Sequence, residues 1–217
     1  MSNRKGLLSL LSFQEQAEMA APSLTDTYES VFSNLPHLHT PRLLLRPMQM
    51  RDAADMFEYS KDPQVAQHVL WDAHQSIHQT RAYLRYVLRQ YKLGAPSSMC
   101  IVEKASGKVI GTIGFMWIQP ENRSCEVGYS LSRAHWNRGY MTEALEALLE
   151  FGFQDLHMNR IEAQHEVDNP ASGRVMAKVG MRQEGILRSR LFNKGRYVDV
   201  ALYAILKQDY EKSKQHD

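Results

Sequence analysis

The run Ser130-Leu131-Ser132-Arg133-Ala134-His135-Trp136-Asn137-Arg138-Gly139-Tyr140-Met141-Thr142 has the residue types of an anion-binding loop. An apolar segment, Glu126 to Leu131, precedes it, and Leu145, Leu148, Leu149, Gly152 and Phe153 follow at helical spacing. The pattern predicts a strand, a short basic loop with one glycine, and a helix N-terminus. Such a junction points several backbone N–H groups and the positive end of a helix at one spot. That spot suits a phosphate or pyrophosphate. No carboxylate interrupts the loop, and Arg133 and Arg138 add positive charge. Alone, the loop fits a plain βα connection equally well.

Other polar residues carry less. His74 and His78 lie four apart on an expected helix, but no carboxylate or cysteine completes a metal set, so a surface pair is expected and no metal. His37 and His39 read as loop. Glu58 and Asp62 fit a solvated helix face, with a cationic acceptor as the alternative. Arg174 and Lys178 fit surface charge or contacts to a ligand phosphate. Cys100 and Cys125 sit in apolar runs, which predicts buried free thiols and a reducing, cytoplasmic setting, with a disulfide between neighbouring strands as the alternative.

The elements that must position these residues follow from periodicity. The 217 residues, 43% hydrophobic, suit one domain with an extra arm. A net charge of +2, without a Lys/Arg run, argues against a nucleic-acid partner, and no segment has membrane-spanning length. Arg4-Lys5 before Leu7-Leu8-Ser9-Leu10-Leu11 has the charge order of a secretory leader, but Glu15 and Glu18 follow, and a short amphipathic helix is the better reading. Residues 1–37 read as a helical extension. Leu24, Tyr28, Val31, Phe32 and Leu35 form its stripe, and Ser23 with Asp26 form its cap. The stripe must bury itself on its own domain or on the second subunit of a homodimer.

Residues 38–217 read as the main domain. A strand at Leu43–Leu45 precedes a helix near Ala53–Tyr59 and a longer one at Ile77–Lys92. Strands at Met99–Glu103, Val109–Trp117 and Cys125–Leu131 form a meander through the turn Ala105-Ser106-Gly107-Lys108. Then come a helix at Met141–Leu156, a strand at Arg160–Glu166, a helix at Ala171–Val179 stopped by Gly180, and strands near Met181–Leu187 and Val198–Leu206 with a loop at 186–198 between them. The order βααβββαβαββ predicts an α/β (α+β) fold: a mixed, mostly antiparallel sheet with helices on both faces and one parallel crossover.

This order and its wording resemble the GNAT superfamily of acyl-CoA-dependent N-acetyltransferases, and within it the Rim-type branch. The wording includes Thr40-Pro41-Arg42-Leu43-Leu44-Leu45-Arg46, Glu126-Val127-Gly128-Tyr129, Gly139-Tyr140-Met141-Thr142-Glu143-Ala144, Asn169-Pro170-Ala171-Ser172, and Lys178-Val179-Gly180-Met181 with Glu184-Gly185. The resemblance implies acetyl-CoA as co-substrate, bound by Tyr129, Leu131, Trp136, Asn137, Arg138, Gly139, Tyr140, Met141, Thr142, Asn169 and Ser172. It implies a strand pair that splays beside Glu126 to hold the pantetheine arm. The family's loop pattern, Gln/Arg-x-x-Gly-x-Gly/Ala, falls on Trp136, Gly139 and Met141, of which only Gly139 matches. Trp136 is usual in the Rim branch, where glycine commonly follows; Asn137 stands there instead, and Asn tolerates left-handed backbone.

Acetyl transfer to an amine needs a base, an oxyanion donor and a group to meet the leaving thiolate. Glu126 is the candidate base, because partial burial raises a carboxylate's proton affinity; the alternative is an outward-facing glutamate. Backbone N–H groups of Val127–Leu131 are the oxyanion donors. Many GNAT members place a tyrosine seven residues after the asparagine, where this chain has Met176; Ser172 falls where the Rim branch often has serine, which the resemblance makes a candidate partner of the CoA sulfur, with a solvent-facing helix residue as the alternative. Asn169-Pro170 also reads as a plain helix cap. The acceptor expected is a protein N-terminal α-amine. The alternatives are a small amine (polyamine, amino acid or aminoglycoside) and a non-catalytic acyl-CoA-binding module. Acceptor choice is assigned to segment 53–95 and the loop 186–198.

Overall fold

The computed structural model describes residues 24–214. The expectations for Leu7–Leu11 and the Ser23 cap lie outside these. The first described helix, α1 (Leu24–Ser33), turns Tyr28 and Phe32 inward, and Leu35 follows them into the core. Phe32 is fully buried and meets Phe115 edge-on, with ring centroids 5.8 Å apart. Tyr28, Phe32 and Leu35 of the amphipathic stripe are thus buried within the same chain, with Val31 packed against them.

Eight strands form one sheet in the order β1-β2-β3-β4-β5-β6-β8-β7. They are β1 (Leu38–His39), β2 (Leu43–Arg46), β3 (Ser98–Glu103), β4 (Val109–Gln119), β5 (Ser124–Leu131), β6 (Arg160–Glu166), β7 (Arg182–Asn193) and β8 (Arg196–Leu206). Among the described strands, only the β5–β6 pair is parallel. The helices after α1 are α2 (Ala53–Ser60), α3 (Pro63–Ala66), α4 (Ile77–Lys92), α5 (Tyr140–Gln154), α6 (Pro170–Lys178) and α7 (Lys207–Lys214). Alternation along β3 shows the layering. Met99 and Ile101 join one buried cluster with α1, α5 and α6, while Cys100 and Val102 join another with α2 and α4. The sheet is mixed, mostly antiparallel, and covered by helices on both faces.

Four details differ from the sequence reading. His39 is in the two-residue strand β1, because its backbone pairs with Leu44. His74 precedes α4, so His74 and His78 do not share a helix. His74 Nδ1 lies 2.9 Å from Ser60 Oγ and 2.8 Å from Thr80 Oγ1, and burial pushes its pKa down. The region 186–198 is not a loop. Pairing continues to Asn193↔Arg196, because Lys194 and Gly195 take positive φ (48° and 80°) and close a tight turn. α3 and α7 extend the expected order. Both cysteines are buried free thiols.

Candidate active site

β5 and β6 pair only over Ser124↔Arg160, Cys125↔Ile161 and Glu126↔Glu162. Beyond Glu126 they part, although β5 stays paired with β4 to Leu131 and β6 with β8 to Glu166. In a sheet, backbone groups alternate between two neighbours. Those of Val127–Leu131 that point towards β6 therefore have no strand partner. A wedge opens towards the C-terminal ends of two parallel strands, with unpaired donors on one wall.

The basic loop lies at the mouth of this wedge. Asn137 (φ 58°) and Gly139 (φ 76°) are both left-handed, and Gly139 caps α5. A Cβ on Gly139 would sit 3.4 Å from the Arg42 guanidinium. The first N–H groups of α5, on Tyr140, Met141 and Thr142, lack intrahelical acceptors, as at any helix start. The loop is braced from within by Trp136, whose Nε1 donates to Leu131 O at 2.8 Å. This cradle of amides, left-handed turns and helix end fits a pyrophosphate.

Sequence reasoning missed the clamp beneath the cradle. Glu143, in the first turn of α5, accepts from Thr40 Oγ1 (2.6 Å), Arg42 N (2.8 Å) and Arg42 Nε (2.6 Å). Burial alone would raise its pKa, but these donors hold it below the usual carboxylate range. Arg42 also donates to Arg138 O at 2.9 Å and lies 4.3 Å over the Tyr140 ring. The loop is thereby tied to β2. The signal was present in Thr40-Pro41-Arg42, but nothing local links it to Glu143, 101 residues on. Arg133 is drawn aside to Asp62 (2.7 Å), whereas the exposed Arg138 side chain is in no close ion pair among the described residues, although its charge helps to hold Glu103 low.

Across the wedge, Tyr129 of β5 meets Ser172 of α6. Ser172 Oγ donates to Tyr129 Oη at 2.9 Å, and Tyr129 Oη donates to Ser172 O at 3.1 Å. Ser172 is therefore half-buried and engaged rather than a solvent-facing helix residue. Burial pushes the Tyr129 phenol well up, so it stays protonated. Asn169 caps α6, its Oδ1 accepting from Ser172 N at 3.4 Å. Met176 is buried in the core and faces no wedge chemistry. Glu126 lies at the apex of the wedge, half-buried. Trp117 Nε1 donates to its Oε2 at 2.7 Å and Gln164 Nε2 to its Oε1 at 3.0 Å. Its neighbours Cys125 and Val127 belong to the α5-side core, so Glu126 faces the other side of the sheet.

A second cluster was not foreseen. Glu166, buried at the end of β6, is 2.8 Å from His68 Nδ1 and accepts from Asn193 Nδ2. Burial would raise its pKa, but His68 and Asn193 hold it low. Lys194 in the hairpin turn donates to Val69 O and Trp71 O. The β7–β8 turn is thus fastened to the segment after α3. Asp55, Glu58 and Asp62 line a cavity of about 520 Å³ with Lys108, Arg133 and His135. Arg174 and Lys178 lie exposed on α6, away from any described partner.

The family model for the acetyltransferase (GNAT) domain matches residues 42–182. The chain is 35% identical over 173 residues to the uncharacterized N-acetyltransferase p20 of Bacillus licheniformis, covering 80% of this chain and 97% of that one. It is 27% identical over 188 residues to the [ribosomal protein uS5]-alanine N-acetyltransferase of Escherichia coli, covering 82% and 95%. Among solved structures, the GNAT-family acetyltransferase of Bacillus anthracis superposes with a TM-score of 0.71 at 27% identity, over 80% of this chain and 99% of that one. A wedge that opens past Glu126 onto an amide-lined cradle is what a nucleotide-borne acyl arm requires, and the likeness spans the elements that build it. The chain belongs to the GNAT acetyltransferase family and is an acetyl-CoA-dependent N-acetyltransferase.

Proposed function

We propose that this enzyme acetylates the α-amine at a protein N-terminus. In this reading the amides of residues 136–142 hold the pyrophosphate of acetyl-CoA. The unpaired edge of β5 pairs with the pantetheine amides as an added strand would, and Asn169 meets that arm from the other wall. Acetyl-CoA supplies the activated acyl group. Glu126 takes the proton from the amine, directly or through a water. Free N–H groups of Val127–Leu131 receive the developing oxyanion. The Ser172 hydroxyl turns its one proton from Tyr129 Oη to the departing sulfur, in place of the tyrosine that Met176 replaces.

The observation that carries this reading is Glu126 at the apex of the wedge, on the face away from α5, so base and acyl arm approach the same point from two sides of the sheet. The acceptor class follows from chemistry. A free α-amine has a pKa near ~8 against ~10.4 for a lysine side chain, so at pH 7 it is neutral roughly two hundred times more often. One modest base suits the easier nucleophile. The Escherichia coli relative that acts on the alanine of a ribosomal protein supports the same choice. A polyamine is the second reading, favoured by the three carboxylates around the 520 Å³ cavity. Two of these are already paired, Asp62 with Arg133 and Glu58 with Lys61.

Thiol release from acetyl-CoA decides between the readings. Peptides with free N-termini should exceed N-blocked, lysine-containing counterparts and spermidine in kcat/KM. Equal or better turnover of spermidine would replace the first reading with the second.

A further inference from the structure

We propose that Trp117 and Gln164 are the positioning residues of Glu126, which a bulge in β4 and the splay of β6 bring to bear on its two carboxylate oxygens. The inference rests on the reading of Glu126 as the base. The β4–β5 ladder is irregular between Phe115 and Trp117: Phe115 pairs with Val127, yet Trp117 pairs with Glu126. Met116 is the extra residue. In a regular ladder it would stand opposite Glu126; instead its side chain, 47% exposed, lies over Gly128, and the indole takes the place opposite Glu126. Bulges beside sites re-aim side chains in this way.

The second donor comes from across the wedge. Gln164 lies two residues past Glu162, the last β6 residue in register with β5. Its amide spans the start of the gap to reach Glu126 Oε1. One carboxylate thus joins three strands where two of them separate.

The donor types matter. An indole N–H can only donate, and an amide NH₂ donates to a carboxylate without adding charge. Both fix the plane of the carboxylate, while each oxygen keeps a lone pair for an amine proton or a water. A lysine or arginine in either place would neutralise the base instead. Other titratable groups near Glu126 are Glu162 in register on β6, itself paired with Arg160 at 2.5 Å, and the neighbouring Cys125. Burial pushes the Cys125 thiol up, and the charges of Glu162 and Glu126 push it further. None of these changes in the test variants.

The test compares wild type with Glu126→Gln, Trp117→Phe, Gln164→Leu and the Trp117→Phe/Gln164→Leu pair. Rates of acetyl transfer to a free N-terminal peptide are followed from pH 5.5 to 9.5. Losing one donor should lower kcat about fivefold, the rate equivalent of one hydrogen bond. KM for acetyl-CoA should stay within about twofold. In a Glu126→Gln background the same substitutions should add little, because the group they orient is gone. If Glu126→Gln removes the acid limb while Trp117→Phe and Gln164→Leu leave kcat at the wild-type value, or lower it just as much in the Glu126→Gln background, the positioning role is wrong and the base stands. If Glu126→Gln leaves the limb unchanged, the base reading falls and takes this inference with it. Should Trp117→Phe fail to fold, Gln164→Leu, at a half-buried position, carries the comparison alone.

Discussion

Gly139 and Glu126 sit at opposite ends of the wedge, and each has its own measurement. Gly139 is left-handed at φ 76°, beside the Arg42 guanidinium. Aspartate there would strain the backbone and set a negative charge against the phosphates. Wild type should gain about 2.7 kcal/mol of unfolding free energy at a hundredfold excess of acetyl-CoA over Kd. Gly139→Asp should lose most of that gain, read as the ligand-induced shift in melting temperature. Glu126→Gln should lower kcat by ~10²–10⁴-fold, the usual range for a general base. Ser172→Ala should cost less, because a water can replace one hydroxyl and Tyr129 Oη keeps Ser172 O as its acceptor.

At the scale of elements, α1 and the β7–β8 hairpin do the holding. Phe32 is fully buried against Phe115 in the main core. Phe32→Ala should cost about 3–5 kcal/mol, measured as a lower urea midpoint. Removing residues 1–37 should likewise lower the melting temperature, since Tyr28, Phe32 and Leu35 would leave the core open. An unchanged melting temperature would mean that the core closes without α1. The hairpin is fastened through Glu166, whose folded-state pKa lies below its ordinary value. A lowered carboxylate contributes its full stabilisation above the unfolded value, near ~4.3, and loses it as pH falls through the folded value. The drop in unfolding free energy between about pH 5 and pH 3 should therefore be shallower in Glu166→Gln than in wild type. A parallel slope would show that His68 and Asn193 do not stabilise the ionised form.

For the molecule as a whole, a net charge of +2 leaves little field to steer a charged acceptor. Turnover of a free N-terminal peptide without charged side chains should change less than about threefold in kcat/KM between 50 and 300 mM salt. A steep fall with salt would point to a multiply charged acceptor such as a polyamine. None of the described helices is long and apolar enough to cross a membrane. The two buried clusters share the sheet between them, so substitutions in α4 and α5 should add in stability without coupling.

The sequence by itself determined the elements whose signals are local. The bounds of α4, Ile77–Lys92, follow from its apolar period and from Gly94 beyond it. The strand–loop–helix junction and the left-handed tolerance of Asn137 could be read from neighbours a few residues apart, because backbone preference and amphipathic spacing act over that range. α3, at four residues, is too short for a period, and the β7–β8 turn was missed because Lys194 is not a residue that advertises positive φ. The fold alone decided which distant groups meet. Arg42 reaches Glu143, His68 reaches Glu166 across 98 residues, and a one-residue bulge puts Trp117 rather than Met116 over Glu126. Register and burial set those contacts, and within a strand a slip of one residue would turn every side chain to the other face.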